Sequence, residues 1–291
     1  MAGSINTEGF LMVVATPIGN LGDLSPRARE ILASADWIYC EDTRRTRTLL
    51  SAHDIPSARR LVSLHEHNEA KRIERCCEEI TRGKTVALVS DAGTPGISDP
   101  GQDLIAAVTK AGLSVSAVPG PSSVIAALVT SGFATDRFVV EGFLPRKGKE
   151  RLRILSALTR EERTTVILES PRRLHETLEE FASLFGGQRR IALAREMTKL
   201  HEEIWRGALD EAIATLSERE LKGEIVLVLE GAVLDEAPPA SDEEIRRYVD
   251  QAMNDGLTRR DAAHDAAALF SVSKRRAYEI ATSKAANATG D

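Results

Sequence analysis

Three times in its first half, the chain runs an apolar, β-branched stretch into a turn of glycine, proline and small polar residues and then into a helical pattern. This recurrence constrains the fold more than any other feature. The longest turn, Ser90-Asp91-Ala92-Gly93-Thr94-Pro95-Gly96-Ile97-Ser98-Asp99-Pro100-Gly101, follows the apolar run 86–89 and precedes a helical segment from Gln102. Its glycines tolerate positive φ and its prolines fix φ, so the backbone keeps one path and still approaches a ligand closely. Asp91 and Asp99 add carboxylates that accept hydrogen bonds or attract a cation. The same order recurs at 11–15, followed by Thr16-Pro17-Ile18-Gly19-Asn20-Leu21-Gly22-Asp23, and at 114–118, followed by Pro119-Gly120-Pro121-Ser122-Ser123. In an open α/β sheet such turns leave the carboxyl ends of the strands, where ligands bind.

A purely structural reading would make Asp99 a helix cap in an ordinary turn, but twelve residues this dense in glycine and proline favour a binding loop. The kind of loop is narrowed by what is missing. A dinucleotide site wants G-x-G-x-x-G after the first strand, whereas the first loop has only Gly19 and Gly22, with Pro17 in the way. No Walker-type G-x-x-x-x-G-K-[ST] occurs anywhere in the sequence.

Periodicity places strands at 11–15, 37–40, 60–64, 85–89 and 114–118, alternating with helices at 25–35, 43–52, 67–82 and 101–111, the pattern of a largely parallel sheet. After a helix from Ser122, further strands are expected at 137–143, 164–170, 190–195, 202–206 and 224–230, with helices at 148–158, 171–186 and 208–219. The last of these strands are close enough to pair antiparallel, which predicts a mixed second sheet. Residues 234–240, with Pro238 and Pro239, form a linker. Ser241-Asp242-Glu243-Glu244 is a capping box, and helices at 262–270 and 274–283 flank a short turn. The expected architecture is α/β: an N-terminal α/β domain at 10–121, a C-terminal α/β domain at 122–233 and a small helix-turn-helix-like unit at 241–285.

The net charge of −6 argues against a uniformly basic nucleic-acid binder, so any nucleic-acid contact must be local. Arg44, Arg45 and Arg47 form one basic cluster; Arg146, Lys147, Lys149, Arg151 and Arg153 form a denser one; Arg259, Arg260, Lys274, Arg275, Arg276 and Lys284 form a third on the terminal helices. A solvated helix start explains the second cluster poorly, because cations there oppose the helix dipole. The thiols of Cys40, Cys76 and Cys77 lack zinc-ligand spacing and fit small buried residues in a reducing compartment. With no leader-like N-terminus and no apolar run of membrane-spanning length, a cytoplasmic protein without membrane contact is expected.

Seven motifs in order, Thr16-Pro17-Ile18-Gly19-Asn20-Leu21, Glu41-Asp42-Thr43-Arg44, His65-Glu66-His67-Asn68-Glu69, residues 90–101, Pro119-Gly120-Pro121-Ser122, Glu141-Gly142-Phe143-Leu144-Pro145 and Ala194-Arg195-Glu196-Met197-Thr198-Lys199, carry a resemblance over residues 11–232. They resemble those of the 16S ribosomal RNA 2′-O-ribose cytidine methyltransferases, the RsmI family of the tetrapyrrole-methylase superfamily. That resemblance implies S-adenosyl-L-methionine as cofactor, 16S rRNA of the small ribosomal subunit as partner, a homodimer, and methyl transfer to a cytidine 2′-hydroxyl (cytidine 1402 in the usual nomenclature). Two other classes stay open: a tetrapyrrole methyltransferase of the precorrin or uroporphyrinogen type, and a noncatalytic nucleic-acid-binding protein.

By the same resemblance the cofactor is expected at Pro17, Gly19, Asp91, Gly93, Thr94, Pro95, Ser98, Asp99, Pro119, Gly120, Ser122 and Ser123, with Phe143, Leu144 and Pro145 on the far wall, although these last could equally pack a domain seam. RNA is expected at Arg44, Arg45, Arg146, Lys147, Lys149, Arg172, Arg173 and Arg195. A ribose hydroxyl needs its proton removed. Candidates for that step are Glu66, His67 and Asn68, beside His65 at the mouth of the third strand, and Lys199 with Glu196. No metal is required.

Overall fold

The computed structural model describes residues 9–57, 59–65, 68–216, 219, 221–233, 241–270 and 272–283. The first sheet is wholly parallel, in the order β3-β2-β4-β1-β5, built from β1 (Phe10–Val14), β2 (Trp37–Cys40), β3 (Leu61–Ser63), β4 (Thr85–Val89) and β5 (Ser114–Val118). Helices α1 (Pro26–Ser34), α2 (Thr43–Ala52), α3 (Glu69–Thr81) and α4 (Gln102–Lys110) connect the strands. The central strands β2 and β4 are buried almost throughout, as continuous apolar runs demand when helices cover both faces of a sheet. Leu32, Ile38 and Leu50 pack on one face; Leu11, Tyr39, Ile80 and Leu104 pack on the other.

The second sheet has the order β6-β7-β10-β8-β9, from β6 (Phe138–Phe143), β7 (Thr164–Glu169), β8 (Arg190–Arg195), β9 (Glu203–Ala208) and β10 (Ile225–Leu229). It is mixed: β6 runs parallel to β7, and the other pairings are antiparallel. Helices α6 (Lys149–Leu158), α7 (Pro171–Phe185) and α8 (Leu209–Leu216) pack one face around Leu155, Leu178 and Phe181. Its other face is covered by α5 (Ser123–Ser131), whose Val124, Ala127 and Leu128 meet Val166, Ala192 and Val228. Ile18, from the first loop of the first sheet, lies in that same apolar cluster.

The described residues from 233 onward form a separate compact unit. It holds α9 (Asp242–Asn254), α10 (Arg259–Leu269) and α11 (Lys274–Thr282) around Ile245, Val249 and Ile280. The capping box at Ser241 is present in both directions, and Thr258 and Ser273 cap the next two helices. Cys40 and Cys76 are buried, and burial first of all pushes the Cys76 thiol up to about 12, so neither is poised to react. Among the described residues, no helix is long and apolar enough to cross a membrane.

Candidate active site

The three glycine- and proline-rich turns converge and are tied together. Thr16 and Gly93 exchange backbone hydrogen bonds of 2.9 and 3.1 Å, the Thr16 hydroxyl donates to the Ser90 carbonyl, and the Thr94 hydroxyl donates to the Pro121 carbonyl at 3.1 Å. Gly93 sits at φ +86°, a left-handed conformation that glycine adopts at no steric cost. Ser122 then caps α5 by accepting from the Ile125 N–H.

Together these turns form one side of a cavity of about 470 Å3 whose other side is the second sheet. Ile18, Ala92, Gly93, Thr94, Ser122, Ser123 and Val124 line the near side. Leu168, Glu169, Ser170 and Pro171 at the end of β7, Met197 in the turn after β8, and residues 223–226 at the start of β10 line the far side. Phe143 and Ile97 stand at its edge, each well exposed.

Three carboxylates, Glu41, Asp91 and Asp99, face the cavity from the carboxyl ends of β2 and β4. Asp91 accepts from the Asp42 N–H at 3.1 Å and lies 3.4 Å from the Arg45 guanidinium. Burial, followed by the charges of Glu41 and Asp91, pushes Asp99 up to about 6. Burial and then Asp91 raise Glu41 as well. Opposite them the Glu169 side chain is fully buried, taking the Ser170 N–H at 2.7 Å, the Thr177 hydroxyl at 2.8 Å and the Arg173 guanidinium at 3.3 Å.

Of the expected site residues, Arg45, Asp91, Gly93, Thr94, Asp99, Ser122, Ser123 and Phe143 line this cavity. Pro17 and Pro95 are buried beside it, and Gly19 lies under the Lys199 side chain. Ser98 packs on Gly142, Pro119 is exposed, and Gly120 abuts Ala15. Leu144 corrects the expectation of a far wall. A β-bulge between Val140 and Gly142 shifts the alternation, so Phe143 points outward while Leu144 joins the core on α6 and α7. Pro145 offers its carbonyl to Arg151.

Several expected RNA-binding cations are engaged by carboxylates instead. Arg151 is buried and bonded to Glu180 and Thr177, and Arg153 holds Glu150. Arg173 bridges Glu169 and the Leu144 carbonyl. Arg195 shares Glu203 with Arg219, and Arg44 chelates Asp42 on its own helix cap. Arg146, Lys147, Lys149 and Arg172 are exposed. On the terminal helices Arg275 pairs with Glu279 and Arg276 with Asp242, whereas Arg259, Arg260 and Lys274 are exposed; Lys284 lies outside the described residues.

Glu66 and His67 lie outside the described residues. The Asn68 amide spans the His65 N–H and the Ser63 carbonyl and closes the turn after β3. Lys199 donates to Glu196 at 2.8 Å and Glu224 at 3.1 Å. Burial alone would lower it, but those carboxylates outweigh burial and hold the ammonium above its ordinary value. Sequence reasoning missed Glu41 and Met197 as lining residues although both lie in quoted motifs, and it missed 168–171 and 223–226, which carry no glycine-rich signal beyond Gly223.

Comparison with known proteins agrees with this architecture. The family described as Tetrapyrrole (Corrin/Porphyrin) Methylases matches residues 11–213. The chain is 45% identical over 272 residues to ribosomal RNA small subunit methyltransferase I of Synechocystis, covering 94% of this chain and 97% of that protein. It is 44% identical to the Mycobacterium tuberculosis protein of the same name, with 94% of each covered. Among solved structures, diphthine synthase superposes with a TM-score of 0.58 at 14% identity, covering 76% of this chain and 90% of that one. A Thermus thermophilus uroporphyrin-III C-methyltransferase in complex with S-adenosyl homocysteine does so at 0.54 and 20%, covering 76% and 96%. These two likenesses are of fold.

Proposed function

The chain belongs to the tetrapyrrole methylases and, within them, to the ribosomal RNA small subunit methyltransferase I family, and from that premise we propose that it methylates a ribose 2′-hydroxyl in 16S rRNA with S-adenosylmethionine as donor. The observation that carries this reading is the convergence of three stitched loops on one cavity facing the second sheet. The lining fits such a donor. About 470 Å3 lies within the usual range for small-molecule sites, Ile18, Val124 and Met197 offer apolar surface, and Glu41, Asp91 and Asp99 complement a ligand with sulfonium and ammonium charges.

When bound, the donor supplies a methyl group already activated on sulfur. The chain's task is to bind it, orient the ribose hydroxyl and accept a proton. Positioning alone can supply up to ~7–11 kcal/mol in well-aligned cases. Asp99 is the best-placed base: it faces the cavity, and a proton affinity near 6 lets its carboxylate be ionised at neutral pH yet basic enough to accept the hydroxyl proton. The exposed Arg45, Arg146, Lys147 and Lys149 take RNA phosphates, and the helical unit by itself exposes Arg259, Arg260 and Lys274 for the same chemistry. We place the enzyme in the cytoplasm as a homodimer, with the two α/β domains divided near residue 121.

The test is transfer of labelled methyl from S-adenosylmethionine to unmethylated small ribosomal subunits, free 16S rRNA or tetrapyrrole precursors. Label in rRNA ribose supports the reading. Label in tetrapyrrole alone, or in nothing, refutes it.

A further inference from the structure

At the rim of the cavity one large apolar side chain is held where it gains nothing from the core. Phe143 is 58% exposed although aromatic residues make up only 4% of the chain, and it is the aromatic member of the cavity lining among the described residues. A large aromatic side chain left in water forgoes the stabilisation that burial would give it.

The backbone around Phe143 is fixed with care. The bulge ends at Gly142, at φ +65°, and a Cβ built there would come within 2.8 Å of the Ser98 hydroxyl. Ser98 is itself at φ +61°, so two left-handed residues from facing segments close on each other. Ile97, 44% exposed, directly precedes Ser98 and lines the same cavity as Phe143. On the other side Leu144 is anchored in the core, and the Leu144 and Pro145 carbonyls accept from Arg173 and Arg151, both at 3.0 Å. The ring is thus an exposed apolar plate on a backbone anchored on both sides. Arg146, Lys147 and Lys149 follow it directly, all exposed.

An apolar plate followed by clustered cations is the chemistry of a nucleotide, with a base face to stack and phosphates to neutralise. We propose that Phe143, flanked by Ile97, is the stacking platform for the base of the nucleotide whose ribose is methylated, with Arg146 and Lys147 on the adjoining phosphates. This rests on the rRNA methyltransferase reading and narrows it. The target base leaves its helix and seats on the ring, which carries its sugar to the cavity mouth.

The test compares wild type, Phe143→Ala and Phe143→Tyr in the full chain. It measures S-adenosylhomocysteine affinity by calorimetry, affinity for unmethylated 16S rRNA by filter binding, and KM and kcat for methylation. Phe143→Ala is expected to weaken RNA binding and raise KM between about 5-fold and about 150-fold, the equivalent of ~1–3 kcal/mol of base stacking. S-adenosylhomocysteine affinity should be unchanged, and Phe143→Tyr, which keeps the ring, should restore RNA affinity. Weakened S-adenosylhomocysteine binding with unaltered RNA affinity would overturn the proposal by assigning the ring to the donor; no change in either would overturn it too. Failure of the wild-type chain itself to bind S-adenosylhomocysteine would refute the donor reading, and the stacking role with it.

Discussion

Replacing Arg151 decides whether the dense cluster after β6 is RNA-binding charge or, in this member, structural cement. The guanidinium donates from Nε and Nη2 to Glu180 Oε2, at 2.8 and 2.5 Å, from Nη1 to the Pro145 carbonyl at 3.0 Å and from Nη2 to Thr177 Oγ1 at 3.2 Å. Thr177 in turn donates to Glu169, a cavity residue. Removing one partner of a buried ion pair costs about 3–5 kcal/mol. The Glu180 side chain keeps 29% of its surface in water and can be partly rehydrated, so the expected loss for Arg151→Ala is at the lower end, about 3 kcal/mol. For a unit of this size each kcal/mol moves the midpoint by about 2–4 °C, which predicts a Tm lower by about 6–12 °C. Thermal unfolding followed by circular dichroism measures this. The double variant Arg151→Met/Glu180→Leu removes both charges and should recover most of the loss. If Arg151→Ala leaves Tm unchanged but weakens rRNA binding and flattens its salt dependence, the residue is a phosphate contact and the reasoning is wrong.

Further predictions concern the site. If Asp99 is the base, kcat should fall as pH drops through about 6, where its carboxylate gains a proton; Asp99→Asn should cut kcat by ~10²-fold or more and abolish that inflection. Because the Glu41 charge helps raise Asp99, Glu41→Gln should move the inflection in the pH–rate profile to lower pH; an unmoved inflection would detach Asp99 from it. Gly19→Ala puts a Cβ 2.3 Å from Lys199 Cγ on a side chain pinned by two carboxylates. Urea unfolding should show a loss of ~1–3 kcal/mol, and the Gly19→Ala/Lys199→Ala pair should lose less than the sum of its parts. Replacing Arg259 and Arg260 with alanine should make the slope of log K for rRNA against log salt shallower by roughly 1–2; an identical slope would confine the helical unit to another role.

The first sheet was legible because β1, β2 and β4 are apolar runs and β5 alternates valine and alanine with serine, each cut off by proline, glycine or a polar residue, so periodicity and punctuation agree. Its cavity wall was legible for the same reason, since Gly93, Thr94 and Ser122 sit in turns whose composition has little other use. The far wall was not. The antiparallel β10 brings its beginning rather than its end to the cavity, so Glu224 and Ile225 arrive without a turn signature. Leu144 and Phe143 were given one role because nothing in Glu141-Gly142-Phe143-Leu144 announces the bulge that sends them to opposite sides. The basic clusters misled more plainly. Whether a guanidinium is available depends on carboxylates remote in sequence, and Glu180 and Glu203 had already claimed Arg151 and Arg195.

Ile18 belongs by sequence to the first strand's loop and by packing to the apolar layer beneath the second sheet, among Val124, Met197 and Val226. Separating the lobes would strip that side chain of its neighbours, at roughly 1.5–3 kcal/mol for an aliphatic residue of this size. The two sheets are therefore tied through Ile18, and an RNA seated as proposed on Phe143 would cover the edge of the cavity that the exposed Ile97 and Phe143 mark.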